Sequence, residues 1–233
     1  MAAERWKFFQ DHPRTRDPKD YWGQVQRTVS GKAVGEDQIR LIVDSVLSGL
    51  RLQTDDRLLD LCCGNGALTD RILDHCGGGL GVDYSEPLID VARRDFAVPG
   101  QREYRLGDAV SFLASAEDPG RFTKALCYGS FMYLAQEQAV MVLQALRSRF
   151  SNIRRLMIGN LPDKHRVHDF FDPEHYRPGI EDDADAALGL WRTEEEMMAL
   201  ARDCGWVCEI SRQPPQFYGA RYRFDAVLIP KTK

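Results

Sequence analysis

The chain has 233 residues, 43% of them hydrophobic, which is enough to build one globular domain with a substantial buried core. Its 35 acidic and 31 basic side chains give a formal net charge of −4, which disfavours sequence-independent nucleic-acid binding because that activity needs a broad basic face. No apolar run reaches the length of a membrane span, and the first residues lack the apolar core of a signal peptide. We therefore expect a cytoplasmic protein with no nucleic-acid or membrane partner, whose cysteines are reduced thiols.

The first 35 residues are polar, mixed in charge and interrupted by proline and glycine. They predict an irregular N-terminal arm (residues 1–35) with one short helix over 18–29, within a single domain spanning 1–233. A longer helix is predicted over 36–49, where apolar residues recur at helical spacing until Gly49.

Apolar strand patterns and helical patterns then alternate along the chain. Strands are predicted over 57–62, 79–83, 102–106, 123–128, 154–160, 206–211 and 222–229. Helices are predicted over 66–75, 86–95, 109–115, 135–149 and 193–204.

The alternation predicts an α/β fold, with a doubly wound, mostly parallel seven-stranded sheet and helices on both faces. No helix separates the last two strands, so the final strand is predicted to be antiparallel. Residues 161–190 form an irregular stretch that is long for a compact domain, and they predict a lid over a functional site.

The most informative motif runs over residues 58–69, where an apolar strand pattern ends in Asp60 and a Gly64-Asn65-Gly66 turn. Such a strand, glycine turn and helix start is how α/β proteins hold a nucleotide. A second apolar strand pattern ends in Asp83, at the spacing from which an acid reaches the ribose hydroxyls. A nicotinamide site needs a small residue three positions after the second glycine, and Thr69 stands there instead.

The acid-x-x-x-Gly-x-Gly pattern of Asp60, Gly64 and Gly66 resembles the first motif of class I S-adenosylmethionine-dependent methyltransferases. The resemblance continues at residues 81–85, 105–109 and 126–130, which are similar to the family's ribose, adenine and methyl-transfer segments, and in element order it extends over 55–230. It implies the Rossmann-like methyltransferase fold, S-adenosyl-L-methionine as cofactor, and a set of binding residues. The cofactor residues so implied are Asp60, Cys62, Gly64, Asn65 and Gly66 for the methionine part, Asp83 and Tyr84 for the ribose, Asp108 and Ala109 for the adenine, and Tyr128 and Trp22 as further contacts.

Candidate catalytic residues are His165 and His168 in the predicted lid and Tyr128 at the end of the fourth strand of the predicted sheet. A histidine near a carboxylate suits proton removal near neutral pH. Two alternatives stay open: the histidines are solvated loop residues, or His165, His168 and Asp169 bind a divalent metal. We expect no metal, since loop spacing gives that alternative little support.

These patterns favour a methyltransferase acting on a small-molecule or carbohydrate acceptor, with oxygen as the methylated atom. The strand end at Tyr128 lacks the Asp/Asn-Pro-Pro-Tyr signature of enzymes that methylate DNA amino groups. A non-catalytic cofactor-binding regulatory or scaffold subunit would present the same motifs. A nicotinamide-dependent dehydrogenase is a third hypothesis, disfavoured by Thr69 and by the final pair of strands. The sequence does not predict the oligomeric state.

Overall fold

The computed structural model describes the backbone of residues 3–232 and the side chains of residues 7–232. Met1, Ala2 and Lys233, which the predicted arm and domain limits include, lie outside the described residues.

A seven-stranded sheet forms the centre of the fold. Its strands, in chain order after a small hairpin in the arm, are β3 (Leu58–Leu61), β4 (Gly79–Asp83), β5 (Arg102–Leu106), β6 (Lys124–Tyr128), β7 (Arg155–Pro162), β8 (Trp206–Ser211) and β9 (Arg223–Pro230). The spatial order is β5-β4-β3-β6-β7-β9-β8. The strands from β3 to β7 pair in parallel, whereas β9 pairs antiparallel with both β7 and β8. The predicted fold class and the antiparallel final strand are confirmed.

Helices cover both faces of this sheet. One face carries α3 (Glu36–Leu50), α4 (Ala67–Leu73) and α5 (Glu86–Phe96), and the other carries α6 (Ala109–Ser115), α7 (Gln136–Arg149) and α8 (Glu194–Asp203). The apolar sides of these helices pack on the sheet, which leaves the carboxyl ends of the parallel strands as the open edge for a ligand.

The arm differs from its predicted structure. Instead of one helix over 18–29, it contains α1 (Ala3–Asp11), a short α2 (Tyr21–Gln24) and a hairpin of β1 (Thr28–Val29) and β2 (Lys32–Ala33). α2 ends at Gln24, and Gln26 follows with a φ of 53°, which a helix does not allow. The two hairpin strands are joined through Ser30 and Gly31, with φ of 49° and 76°. Positive φ at both central residues is the geometry of a tight two-residue hairpin turn.

The predicted lid is less irregular than its composition indicates. β7 continues to Pro162, and 3₁₀ helices follow at Lys164–Asp169 and Ile180–Asp182. We call residues 163–190 the lid segment. It packs through Val167 and Phe171 against Trp191 and Tyr222 in a small apolar cluster of its own.

Candidate active site

A cavity of about 380 Å³ lies at the carboxyl ends of β3 and β6. This place is the switch point of the sheet, because the chain proceeds from β3 towards β5 on one side and from β6 towards β7 on the other. The walls come from the arm, the strand ends, the lid segment and the segment that leads into β9. Small-molecule sites are typically clefts of about 300–1,000 Å³ in such positions.

Asp60 lies in β3 with its carboxylate buried at the cavity wall. The hydroxyl of Thr69, in α4, donates a hydrogen bond to the Oδ2 atom of Asp60 at 2.5 Å. Burial raises the pKa of Asp60 to about 7, against the opposing effects of the Thr69 hydrogen bond and the charge of Arg27. Thr69, the residue that departs from the nicotinamide-binding pattern, therefore orients the carboxylate of Asp60 at the cavity.

Asp83 lies at the end of β4, and its carboxylate connects the glycine loop to the start of α5. The backbone N–H groups of Gly64 and Ser85 donate to its two carboxylate oxygens, each at 2.9 Å. Burial raises the pKa of Asp83 to about 6, although these backbone donors favour its charged form. Each carboxylate oxygen can accept more than one hydrogen bond, so Asp83 can still accept from two hydroxyls of a ligand. We refer to Asp60 and Asp83 as the acidic side of the cavity.

The two glycines of the loop have different surroundings. Gly64 lines the cavity with φ +60°, and an added Cβ would lie 2.9 Å from Val25 of the arm. Gly66 does not line the cavity; a Cβ there would lie 2.8 Å from the ring of Tyr104 and 3.0 Å from Ala92. The predicted contact of Gly66 with a ligand therefore has no support from the cavity, and its lack of a side chain serves helix–sheet packing.

Asn65 is a cavity residue whose side chain is already engaged by the arm. Its amide Nδ2 donates to the backbone oxygen of Tyr21 at 2.8 Å and to the side-chain oxygen of Gln24 at 2.9 Å. These bonds hold α2 against the glycine loop and bring Trp22, whose contact with the cofactor stays a prediction, to the cavity wall. Cys62 and Tyr84, whose contacts with the cofactor stay predictions, also line the cavity.

Tyr128 is the one predicted catalytic residue that the structure brings to the cavity wall. Its ring packs over Gly159, where a Cβ would lie 2.2 Å from the ring, and the Arg27 guanidinium lies 5.5 Å from its centroid. The hydroxyl is buried without a hydrogen-bond partner among the described residues. Burial raises the pKa of Tyr128 well above its usual value, so its hydroxyl stays protonated at neutral pH. The hydroxyl can therefore donate a hydrogen bond to a ligand but cannot act as a base that removes a proton from it.

Three polar residues at this end of the cavity are absent from the sequence prediction. They are Arg27 of the arm, Asn160 in β7 and Arg223 at the start of β9. We call them the basic side of the cavity. A polar side chain inside the apolar patterns of two buried strands is the signal that could have identified Asn160 and Arg223.

The structure does not bring His165 and His168 into the cavity. Val167 and Phe171 take the inward positions of this stretch, so both histidines are exposed. The ring of His168 contacts Tyr176, with centroids 4.6 Å apart. Their predicted role as general base has no support from this geometry, and the solvated-loop alternative agrees with it. From the lid segment, Phe170, Ala187 and Leu188 contact the cavity instead.

Asp108 and Ala109 also lie outside the residues that line the cavity. The carboxylate of Asp108 accepts a hydrogen bond from the backbone N–H of Ser111 at 3.0 Å, so it caps the start of α6. Their predicted contacts with adenine stay predictions, for which the cavity gives no support.

Within the described residues, no three or more histidine, cysteine, aspartate or glutamate side chains are grouped so that they could hold a metal ion. His165, His168 and Asp169 accordingly do not form such a group. Among the described residues, no helix combines the length and the apolar character that a membrane span requires.

Comparison with known proteins agrees with this architecture. Residues 58–151, which contain the acidic side and the strand end at Tyr128, match a family model described as a methyltransferase domain. An uncharacterized methyltransferase of Schizosaccharomyces pombe is 30% identical over 91 residues, which cover 36% of this chain and 32% of that protein. This part of the chain is therefore similar to methyltransferase domains.

Solved structures place the whole chain in the same fold. Magnesium protoporphyrin IX methyltransferase from Synechocystis PCC 6803, with bound S-adenosylhomocysteine, superposes with a TM-score of 0.67 at 17% identity, covering 98% of this chain and 99% of that one. Phosphoethanolamine N-methyltransferase 1 of Haemonchus contortus gives a TM-score of 0.68 at 17% identity, covering 100% of this chain and 51% of that one. The similarity of fold thus extends over the arm and the lid segment as well as residues 58–151.

Proposed function

We propose that this protein is an enzyme that transfers the methyl group of S-adenosyl-L-methionine to an oxygen atom of a small-molecule acceptor. The observation that carries the proposal is the acidic side of the cavity, where buried Asp60 and Asp83 flank a glycine loop at the switch point of the sheet. Burial raises the pKa values of both carboxylates, so ionising them in the unliganded protein costs free energy. A cationic ligand with hydroxyl groups offsets that cost.

The cavity residues fit this cofactor. Asp83 would accept from the two ribose hydroxyls, and Asp60 would attract the positively charged methionine part. Gly64 lines the cavity without a side chain, at a place where a Cβ would meet Val25 of the arm. When bound, S-adenosyl-L-methionine supplies an electrophilic methyl group on a sulfonium sulfur. The protein's task is to align an acceptor with that group and keep water out.

The choice of oxygen rests on the charge at the other end of the cavity. Arg27 and Arg223 lie on the basic side, where the acceptor would bind, and their charges would repel a protonated amine. Among the described residues that line the cavity there is no histidine to act as base. An oxygen that is already ionised needs no base, and guanidinium groups stabilise it.

Small-molecule acceptors are supported by the size of the cavity and by the names of two proteins with the same fold, which refer to magnesium protoporphyrin IX and phosphoethanolamine. The net charge of −4 also gives little attraction to a nucleic acid.

Isothermal titration with S-adenosylhomocysteine tests the cofactor half of the proposal, and we expect a micromolar dissociation constant. No binding at high micromolar concentration would refute it. Product formation from labelled S-adenosyl-L-methionine in a panel of carboxylated and hydroxylated metabolites tests the activity. Binding without any turnover would favour the regulatory-subunit hypothesis.

A further inference from the structure

Arg223 is a buried guanidinium without an ion-pair partner among the described residues. Its side chain lines the cavity with 7% of the residue exposed, and no carboxylate among the described residues lies within ion-pair distance. Its Nη1 donates to the backbone oxygen of Asn160 at 2.5 Å, while its Nε has no partner among the described residues. Burying a charge without a counter-ion is costly, so a partner from outside the chain is expected.

Asp225, two residues along β9, has its carboxylate oxygens engaged by other donors. It accepts hydrogen bonds from the Asn160 backbone N–H at 2.7 Å, the Gln213 amide at 3.0 Å and the Ser45 hydroxyl at 3.1 Å. It thereby fixes the backbone of Asn160, whose φ is +65°, and leaves the guanidinium of Arg223 available. Asparagine is one of the few residues that adopt such a φ readily.

Other unpartnered polar atoms lie beside Arg223 at the same cavity wall. The side-chain oxygen of Asn160, the hydroxyl of Tyr128 and Nη1 of Arg27 are all buried without hydrogen-bond partners among the described residues. A Cβ on Gly129 would lie 3.5 Å from the Asn160 amide nitrogen and 3.9 Å from Nη2 of Arg27. These two donors therefore lie beside the same point of the backbone. Donors on Arg27, Tyr128 and Arg223, with the amide nitrogen of Asn160, thus lie in one region.

We infer that this basic side is the acceptor subsite, and that it binds an oxyanion group of the methyl acceptor, a carboxylate or a phosphate monoester. A guanidinium and neighbouring N–H and O–H donors are the groups that recognise such anions by charge-assisted hydrogen bonds. Aromatic rings of Tyr222 and Phe170 line the same wall and would contact an apolar or aromatic part of the acceptor. The inference rests on the proposed function, whose substrate class it names.

The test uses protein saturated with S-adenosylhomocysteine and three probes of similar size: benzoate, phenyl phosphate and benzyl alcohol. Saturation-transfer NMR measures the dissociation constant of each. We expect the better of the two anions to bind at least about tenfold more tightly than the neutral alcohol, since charge-assisted hydrogen bonds are about twice as strong as neutral ones. Preference for benzoate indicates a carboxylated acceptor, and preference for phenyl phosphate indicates a phosphorylated one.

Arg223→Gln should then raise the dissociation constant of the preferred anion about tenfold and leave that of benzyl alcohol unchanged. Arg192→Gln is the matched control, because Arg192 is 6% exposed and also lacks an ion pair within the described residues, but does not line the cavity. If Arg223→Gln does not fold, Asn160→Asp is the second variant: it is nearly isosteric, keeps the backbone hydrogen bonds and should repel both anions.

Equal binding of the three probes, or equal effects of Arg223→Gln and Arg192→Gln, would overturn the inference. Titration with S-adenosylhomocysteine separates this failure from that of the proposed function. Failure to bind S-adenosylhomocysteine refutes the methyltransferase assignment, whereas normal binding without anion preference refutes the acceptor subsite alone.

Discussion

The acidic and basic sides of the cavity are built from the chain in different ways. The acidic side comes from one contiguous motif, residues 58–69, and from the end of the next strand at Asp83. The basic side combines Arg27 of the arm, Asn160 of β7 and Arg223 of β9, which only the tertiary fold brings together. The difference teaches that a site of the nucleotide-binding type can be encoded locally, whereas the basic side depends on the packing of three distant segments.

The largest expected effect concerns the packing role of the acidic side's glycine loop. Gly66 and Gly100 both have φ +77°, but only Gly66 is enclosed, by Tyr104 and Ala92. Each of Gly66→Ala and Gly100→Ala should lower the free energy of unfolding by about 1 kcal/mol or more, because alanine is strained at this φ. Gly66→Ala should lower it by roughly 1–3 kcal/mol more, because the added methyl group overpacks against Tyr104 and Ala92. Equilibrium urea unfolding measures both variants. Equal losses would show that Tyr104 and Ala92 move aside freely.

A second prediction separates ligand contact from structural capping among the predicted cofactor acids. Asp83→Ala should weaken binding of S-adenosyl-L-methionine by roughly 1.5–3 kcal/mol, and should destabilise the protein because two buried backbone donors lose their acceptor. Asp108→Ala should cost about 1 kcal/mol of stability as a lost helix cap but leave binding unchanged. Titration calorimetry measures the affinity of each variant for S-adenosyl-L-methionine, and urea unfolding measures its free energy of unfolding. An affinity loss for Asp108→Ala as large as that for Asp83→Ala would restore the adenine contact.

The raised pKa values of Asp60 and Asp83, about 7 and about 6, make the acidic side sensitive to pH. Since both exceed the unfolded value of about 3.9, their contribution to stability of the unliganded protein is complete below about pH 4 and is lost as pH rises through 6 and 7. A cationic ligand favours the ionised acids, so S-adenosyl-L-methionine should bind roughly tenfold more tightly at about pH 8 than at about pH 5.5 and release protons.

Titration in two buffers of different ionisation enthalpy measures that proton release. S-adenosylhomocysteine is the control ligand, because it lacks the sulfonium charge and should show a smaller pH dependence. Asp83→Asn should remove the component centred near pH 6. An affinity for S-adenosyl-L-methionine that does not change with pH would mean that the acids are already ionised or do not contact the charged part of the ligand.

Most of the fold could be predicted because alternating apolar strands and amphipathic helices are local patterns. All seven strands of the sheet lie within the predicted segments or within two residues of them. The arm could not be predicted in the same way. Its hairpin depends on positive φ at Ser30 and its anchoring on Asn65, a residue more than 30 positions away.

The candidate site divides along the same line. Asp60, Gly64 and Asp83 could be placed from spacing alone because a strand end and the following turn are fixed by short-range geometry. Arg223 and Asn160 could not be placed, since nothing local shows that β9 returns beside β7. The positions of His165 and His168 outside the cavity could not be predicted, because a residue type suited to catalysis says nothing about which side of a 3₁₀ helix faces the cavity.

The smallest expected effect tests whether the lid segment contributes chemistry or only a wall. The double variant His165→Ala/His168→Ala should change turnover less than about twofold, whereas loss of a general base costs about 10²–10⁴-fold. Tyr128→Phe is the matched variant at the cavity wall and should lower turnover about tenfold, because it removes a buried donor beside the acceptor subsite. Methyl transfer from labelled S-adenosyl-L-methionine measures both, with cofactor affinity as the control for folding. A hundredfold loss in the double variant would mean that the lid segment closes further when an acceptor binds, since the exposed histidines could reach the acceptor only by such a movement. Small effects in the double variant and a clear one at Tyr128 would place the acceptor chemistry at the strand ends and on the basic side, with Phe170 and Leu188 of the lid segment serving to exclude water.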